Sequence, residues 1–250
     1  HVHAPQYAFR GLGMDKELLD WLAAEAFPEE ARYADWDYAR RAYGIFAGAL
    51  RRSPTTRACI FATVHTDAAL ALAGMLEETG LRAFLGKVNM DRDCPDSLRE
   101  TAEDSLAETR RFLAGMEGFT RVKPILTPRF VPSCSDRLMA GLGELRRETG
   151  LPVQSHLSEN EGEIALVASL CPDTEFYAQA YDKWGLFGGT SPAVMAHCVH
   201  SGPAERALMK KNGVFAAHCP QSNTNLASGI APVRRMLEEG LQVGLGTDVA

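Results

Sequence analysis

No C-x-x-C pair occurs among the six cysteines, Cys59, Cys94, Cys134, Cys171, Cys198 and Cys219. That absence excludes the C-x-x-C zinc signature of deaminases that act on polynucleotides. Scattered cysteines suit reduced thiols better than a disulfide framework, and they point to a cytoplasmic protein. No apolar run approaches the roughly 20 residues that span a bilayer. The start carries no signal-peptide pattern. Positive charge is not in excess, since 26 basic against 32 acidic residues leave −6. A nucleic-acid binder would normally show a basic face, so neither nucleic acid nor membrane is expected as a partner. No G-x-G-x-x-G follows a strand and no P-loop appears, so no phosphate cradle is supported. Repeats, low-complexity stretches and linkers are also missing, which predicts a single domain over residues 1–250.

What is present is an ordinary globular balance, 46% hydrophobic and 23% charged, in 250 residues, the usual size of an α/β barrel. Short apolar runs alternate with amphipathic helical patterns. Strands are predicted at His1–His3 (a stub), 57–64, 82–88, 122–126, 152–156, 193–197, 214–218 and 242–248. Helices are predicted at 67–79, 97–116, 135–149, 161–170, 175–184, 203–211 and 231–239. Two further helical faces precede them. One, Leu18 to Leu22, is expected to end near Pro28, and the other runs from Tyr38 to Leu50. Repeated strand–helix units imply a parallel sheet with right-handed crossovers, and eight of them predict a (β/α)8 TIM barrel. An open doubly wound sheet is the alternative. Neither end of the sequence resembles a natural terminus, so the chain is expected to be a fragment, truncated at both ends.

Polar residues fall where the predicted strands end. His1 and His3 lie on one side of a strand, because alternate side chains share a face. Arg129 and Phe130 follow the fourth strand. His156 ends the fifth, with Glu159 in the loop behind it. His197 ends the sixth, His218 the seventh and Asp248 the eighth. Barrel active sites lie on that face. Neutral imidazoles and a carboxylate suit a divalent zinc or iron ion, and a nearby Glu can move protons. His156 and Glu159 are therefore the predicted chemical centre, with His1, His3, His197 and Asp248 converging on it. His65, His200 and His218 are read as structural or supporting.

Ligands on strands one, one, five, six and eight are the pattern of the amidohydrolase superfamily. The motifs His1-Val2-His3-Ala4-Pro5-Gln6-Tyr7, Phe61-Ala62-Thr63-Val64-His65-Thr66-Asp67, Thr127-Pro128-Arg129-Phe130, Gln154-Ser155-His156-Leu157-Ser158-Glu159-Asn160, Met195-Ala196-His197, Ala217-His218-Cys219-Pro220-Gln221-Ser222-Asn223 and Gly244-Leu245-Gly246-Thr247-Asp248-Val249-Ala250 carry a closer likeness. Over all 250 residues the chain resembles the guanine deaminase family. The resemblance implies one zinc per subunit, held by His1, His3, His156 and Asp248, with His197 as a ligand or a close hydrogen-bond donor. Iron(II) would suit the same ligands. It implies catalytic roles for Glu159 (the proton shuttle), Asp248 and His197, and a purine held by Gln6, Arg129 and Phe130 beside the metal site. It also implies hydrolysis of guanine to xanthine and ammonia, and a homodimer. It further implies flanking β-sandwich segments, which the sequence, read as a fragment, is expected to lack. The alternatives are another deaminase of the superfamily (acting on 8-oxoguanine, cytosine, a triazine or an adenosine derivative) or a barrel without catalysis.

Overall fold

A computed structural model describes residues 1–13 and 15–249; Ala250, part of the last motif, lies outside them. Among the described residues ten strands form the centre: β1 (Val2–His3), β2 (Arg57–Phe61), β3 (Arg82–Gly86), β4 (Val88–Asn89), β5 (Val122–Pro124), β6 (Thr127–Pro128), β7 (Val153–Leu157), β8 (Ala193–His197), β9 (Val214–His218) and β10 (Gln242–Leu245). All pairings are parallel, in the orders β1-β2-β3-β5 and β10-β9-β8-β7, with β4 on β6. Since β4 and β6 prolong β3 and β5, the ten strands make eight staves. Two isolated parallel bridges, Leu126 to Val153 and Val2 to Asp248, close the ring. The predicted barrel is what the chain forms.

Several helices start where a side chain takes up a free backbone N–H. Asp35 accepts from the Tyr38 amide at 2.8 Å and opens helix Trp36–Arg52. Ser135 does the same for Asp136–Thr149, through Leu138 at 3.2 Å. Gly80 and Gly150 close their helices with φ of 82° and 68°, a conformation glycine adopts without steric cost. Helices pack outside the strands in two apolar layers. Leu72, Leu76, Phe46 and Ile60 belong to one, and Leu142, Tyr181, Met195 and Val153 to the other. A third cluster, including Trp21, Phe27, Phe61, Phe130 and Val249, roofs the carboxyl-terminal end of the barrel.

Several predicted boundaries move. Helix 97–116 begins only at Ala102, because Thr101 accepts from the Asp104 amide and fixes the start there. The second strand stops at Phe61, and the last at Leu245, so Asp248 sits three residues beyond its strand. Strand 82–88 is interrupted after Gly86, where a Cβ would lie 2.6 Å from the Ile125 carbonyl. The first helix does not end at Pro28. Helix Leu18–Trp21 widens into a π-turn over Leu22–Ala26 and resumes as Phe27–Ala31 with Pro28 in its first turn, where a missing N–H is tolerated.

Candidate active site

The strands deliver their side chains to one pocket. It is lined by His3, Gln6, Leu18, Trp21, Leu22, Arg129, Phe130, His156, Glu159, His197 and Asp248, and encloses about 340 Å³ of free space, its mouth included. His1 joins from beneath, its Nε2 3.0 Å from Asp248 Oδ1. Between the two histidines, Val2 turns the other way into the apolar layer, as strand alternation requires. All nine residues singled out in the sequence are thus brought together.

Backbone geometry at this rim is unusual. His197, Cys198, Ser158 and Asp248 have φ of 71°, 52°, 46° and 64°, in the left-handed region that non-glycine residues rarely adopt. Each such residue costs on the order of 1 kcal/mol or more, and the cost is offset only where surroundings fix the chain. Here they do. The His3 amide donates to the Asp248 carbonyl at 2.8 Å, and the Cys198 amide to the Leu157 carbonyl at 2.9 Å.

Four donor atoms, from His1, His3, His156 and Asp248, all lie within 4.8 Å of one another. His3 Nε2 is 2.9 Å from His156 Nε2 and 3.5 Å from Asp248 Oδ1. Ligands of one tetrahedral zinc, at about 2.0–2.1 Å from the ion, stand about 3.3 Å apart. The observed spacings bracket that value. Supporting contacts aim the donors inward. His156 Nδ1 donates to the Arg129 carbonyl at 2.6 Å, which leaves the Nε2 lone pair facing the cluster. The Ser222 hydroxyl donates to Asp248 Oδ2 at 2.6 Å, which leaves Oδ1 towards the histidines. Phe61 packs against three of the rings, with centroids 5.0, 4.5 and 4.9 Å from those of His1, His3 and His156.

Electrostatics suit the same reading. Burial pushes the His3 imidazolium well below its usual range and His156 down to about 3, so both rings are neutral near pH 7. Burial alone would raise the Asp248 carboxyl, but His197, His3, His156 and the Ser222 hydroxyl outweigh it and hold it below the usual value. Three imidazoles and one carboxylate fit a borderline divalent ion, zinc or iron(II).

Glu159 differs. Burial, then the charges of Asp248 and Glu163, push its carboxyl well above the ordinary range. Its Oε2 lies 3.3 Å from His197 Nε2. His197 Nδ1 is 2.8 Å from Asn223 Oδ1, an acceptor, so the ring proton belongs on Nδ1. His197 stands beside the four-donor cluster, not within it. Two carboxyl groups in one pocket, one held charged and one pushed towards the neutral acid, can divide base and acid duties.

The other wall holds Gln6, Arg129 and Phe130. The Arg129 guanidinium makes two bonds to Glu30, at 2.5 and 2.9 Å, and stacks over Phe27 with 5.1 Å to the ring centre. This pair is fully buried, not a surface ion pair. Glu30 was missed by sequence reasoning, and so were Phe61, Ser222 and Asn223 in their supporting roles. The sequence held one signal for Glu30: a carboxylate in the stretch Phe27 to Ala31, next to apolar neighbours, when the helix is continued through Pro28. Ser222 and Asn223 end the motif Ala217-His218-Cys219-Pro220-Gln221-Ser222-Asn223, which carried the resemblance without a role for either residue, and helix Pro220–Asn225 places them. Among the remaining histidines, His200 Nε2 donates to the Ser228 carbonyl at 2.8 Å, and His218 lines an outer cleft with Ile230 and Val233. His65 precedes helix Thr66–Thr79, away from the pocket.

A parallel barrel with this rim of histidines and carboxylates is an architecture able to hold a divalent metal ion. The amidohydrolase family profile matches residues 1–250, and the chain belongs to that family. More particularly, it is similar to guanine deaminases. It is 44% identical to the guanine deaminase of Mus musculus over 253 aligned residues, covering 100% of this chain and 55% of that protein. The structure of guanine deaminase from C. acetobutylicum, with guanine bound in its active site, superposes with a TM-score of 0.97 at 51% identity, over 99% of this chain and 59% of that one. The E. coli guanine deaminase structure superposes with a TM-score of 0.95 at 37% identity, over 100% of this chain and 57% of that one. The chain spans about half the length of the curated relatives it matches. No helix among the described residues is long and apolar enough to cross a membrane.

Proposed function

We propose that this barrel is the catalytic part of a metal-dependent aminohydrolase that converts guanine and water into xanthine and ammonia. The observation that carries the proposal is the convergence of two unlike groups on one pocket. One is the four-donor cluster with Glu159 beside it; the other is a buried Gln–Arg pair opposite, under an aromatic ring. His1, His3, His156 and Asp248 would hold one zinc, or iron(II), per chain. When bound, the ion would bring the pKa of a water towards 7 and so supply a nucleophile at neutral pH.

The chain's own groups account for the rest. Arg129 offers a planar fork to the O6 and N7 edge of guanine, and Phe130 covers a ring face. Asp248, held ionised, accepts the proton given up as water oxygen adds to C2. Glu159, held towards its acid form, delivers its proton to ring N3, is recharged with the water proton that Asp248 took up, and passes it to the departing amine; the hydroxyl proton left on the C2 oxygen returns to Glu159 as the carbonyl forms. The C2–O bond forms, the C2–N bond breaks, and the amine leaves as ammonia. His197, fixed by Asn223 through Nδ1–H, holds its unprotonated Nε2 3.3 Å from Glu159 and orients that acid beside the reacting carbon. The apolar roof of Leu18, Trp21 and Leu22 restricts water at the reacting edge. The full-length enzyme is proposed to be a cytoplasmic homodimer, which light scattering and cell fractionation test. The activity is tested by measuring ammonia release from guanine, 8-oxoguanine, cytosine, a triazine and adenosine. Release from guanine well above the others is expected. Release from another member of the panel, with none from guanine, contradicts the proposal.

A further inference from the structure

We infer that Glu30, buried behind the pocket wall, is a positioning residue that sets the donor–acceptor polarity of the substrate site. The inference rests on the guanine reading above and deepens it. Glu30 is 1% exposed, and its two oxygens receive three hydrogen bonds. Arg129 Nη1 donates to Oε2 at 2.5 Å, Arg129 Nη2 to Oε1 at 2.9 Å, and Gln6 Nε2 to the same Oε1 at 3.1 Å.

An ionised carboxylate only accepts, so Gln6 must turn its NH2 group towards Glu30. Its carbonyl oxygen then becomes the free end. That Oε1 is buried with no hydrogen-bond partner among the described residues, in a side chain that lines the pocket. A buried carbonyl left unpaired is costly, which favours a ligand that brings a donor to it. Arg129 is fixed at the same time. Its fork toward Glu30 is taken up and its plane lies against Phe27, so its remaining N–H groups are donors only.

The wall therefore presents one acceptor and a set of donors, in fixed places. A purine with a carbonyl and an adjacent ring N–H matches both. Guanine and hypoxanthine have that pair. Adenine has the reverse, an amine beside an unprotonated ring nitrogen, and would set donor against donor and acceptor against acceptor. Without the Glu30 charge, no other side-chain hydrogen bond among the described residues keeps the Gln6 amide from turning over.

The fold builds this device from a local irregularity. Glu30 and Phe27 both lie on Phe27–Ala31, the helical turn that resumes after the π-turn Leu22–Ala26. A π-turn inserts one extra residue per turn and so rotates the next helical segment about the axis. It carries Leu22 to the pocket and Phe27 with Glu30 to Arg129.

Glu30→Gln in the full-length protein tests the inference, with guanine as substrate and hypoxanthine and adenine as competing ligands. Loss of a charge-assisted hydrogen bond predicts a roughly 10- to 100-fold rise in KM for guanine, with kcat changed far less. Metal content should stay near that of the parent protein, whereas Tm should fall, because Arg129 is left as an uncompensated buried cation. The preference for hypoxanthine over adenine, read as the ratio of inhibition constants, should fall about tenfold or more. A merely structural role would weaken both ligands alike. KM within twofold of the parent, or an unchanged ratio, overturns the inference. If the variant does not accumulate folded, Gln6→Leu removes the same acceptor and leaves the Glu30–Arg129 pair intact. It must then lower the ratio in the same way, and an unchanged ratio there counts equally against the inference. Absence of guanine turnover in the parent protein fails the functional reading, whereas turnover with unaltered variants fails this inference alone.

Discussion

The two walls of the pocket are built by different means. The cluster-side wall comes from strand ends: His3, His156 and His197 on β1, β7 and β8, with His1 just before β1 and Asp248 just beyond β10. Its donors are held by backbone, by the closing bridge between Val2 and Asp248, and by a left-handed turn at two of the residues themselves. The opposite wall comes from connections. Gln6 lies in the 3-10 turn after β1, Arg129 and Phe130 in the loop after β6, and both polar groups are held by one carboxylate on a helix after a π-turn. Under the proposed function, the chemistry would sit on the rigid staves and recognition on segments that can change without disturbing the barrel.

If that division is real, damage to the two walls should give different symptoms. His156→Ala removes a donor from the four-atom cluster. Metal assistance supplies several kcal/mol of transition-state stabilisation, so turnover should fall at least ~1000-fold, with metal content well below one per chain by mass spectrometry. Glu159→Gln keeps the ligands and removes the proton carrier. Here kcat should drop about 100- to 10,000-fold while metal stays bound; loss of metal in this variant would make Glu159 a part of the ion's hold and not the proton carrier. Arg129→Ala acts on the far wall. It should raise KM for guanine about 100-fold and leave metal content alone. It should also lower stability by about 3–5 kcal/mol in denaturant titrations, since Glu30 is left as an uncompensated buried charge. The smallest effect is expected from Ser222→Ala, which frees Asp248 Oδ2 from its hydroxyl. Metal affinity should weaken about 10- to 100-fold in chelator competition, with near-normal kcat once metal is saturating.

The same division explains what the sequence revealed. Strand alternation and strand order are regular, so H-x-H, the His after Gln154-Ser155 and the Asp after Gly246-Thr247 can be put on one rim from spacing alone. The barrel comes from counting units. Glu30 cannot be read this way. Pro28 reads as a stop, and only the π-turn, which leaves no simple periodic trace, keeps the helix going and turns Glu30 inward. Ser222 and Asn223 are hidden for a related reason: they stand on a helix of six residues, too short for an apolar period. Contacts that depend on an irregular turn or a tertiary approach, such as Phe61 against three imidazoles, have no one-dimensional signature.

The central claim is that these two walls together deaminate guanine. The most direct measurement is ultraviolet detection of guanine turning into xanthine by the full-length protein, before and after treatment with a chelator, and again after zinc is restored. Xanthine formation that stops on chelation and returns with zinc is the predicted result. Conversion that proceeds undiminished in protein shown to be free of metal, or no conversion in protein shown to hold one ion per chain, would contradict it.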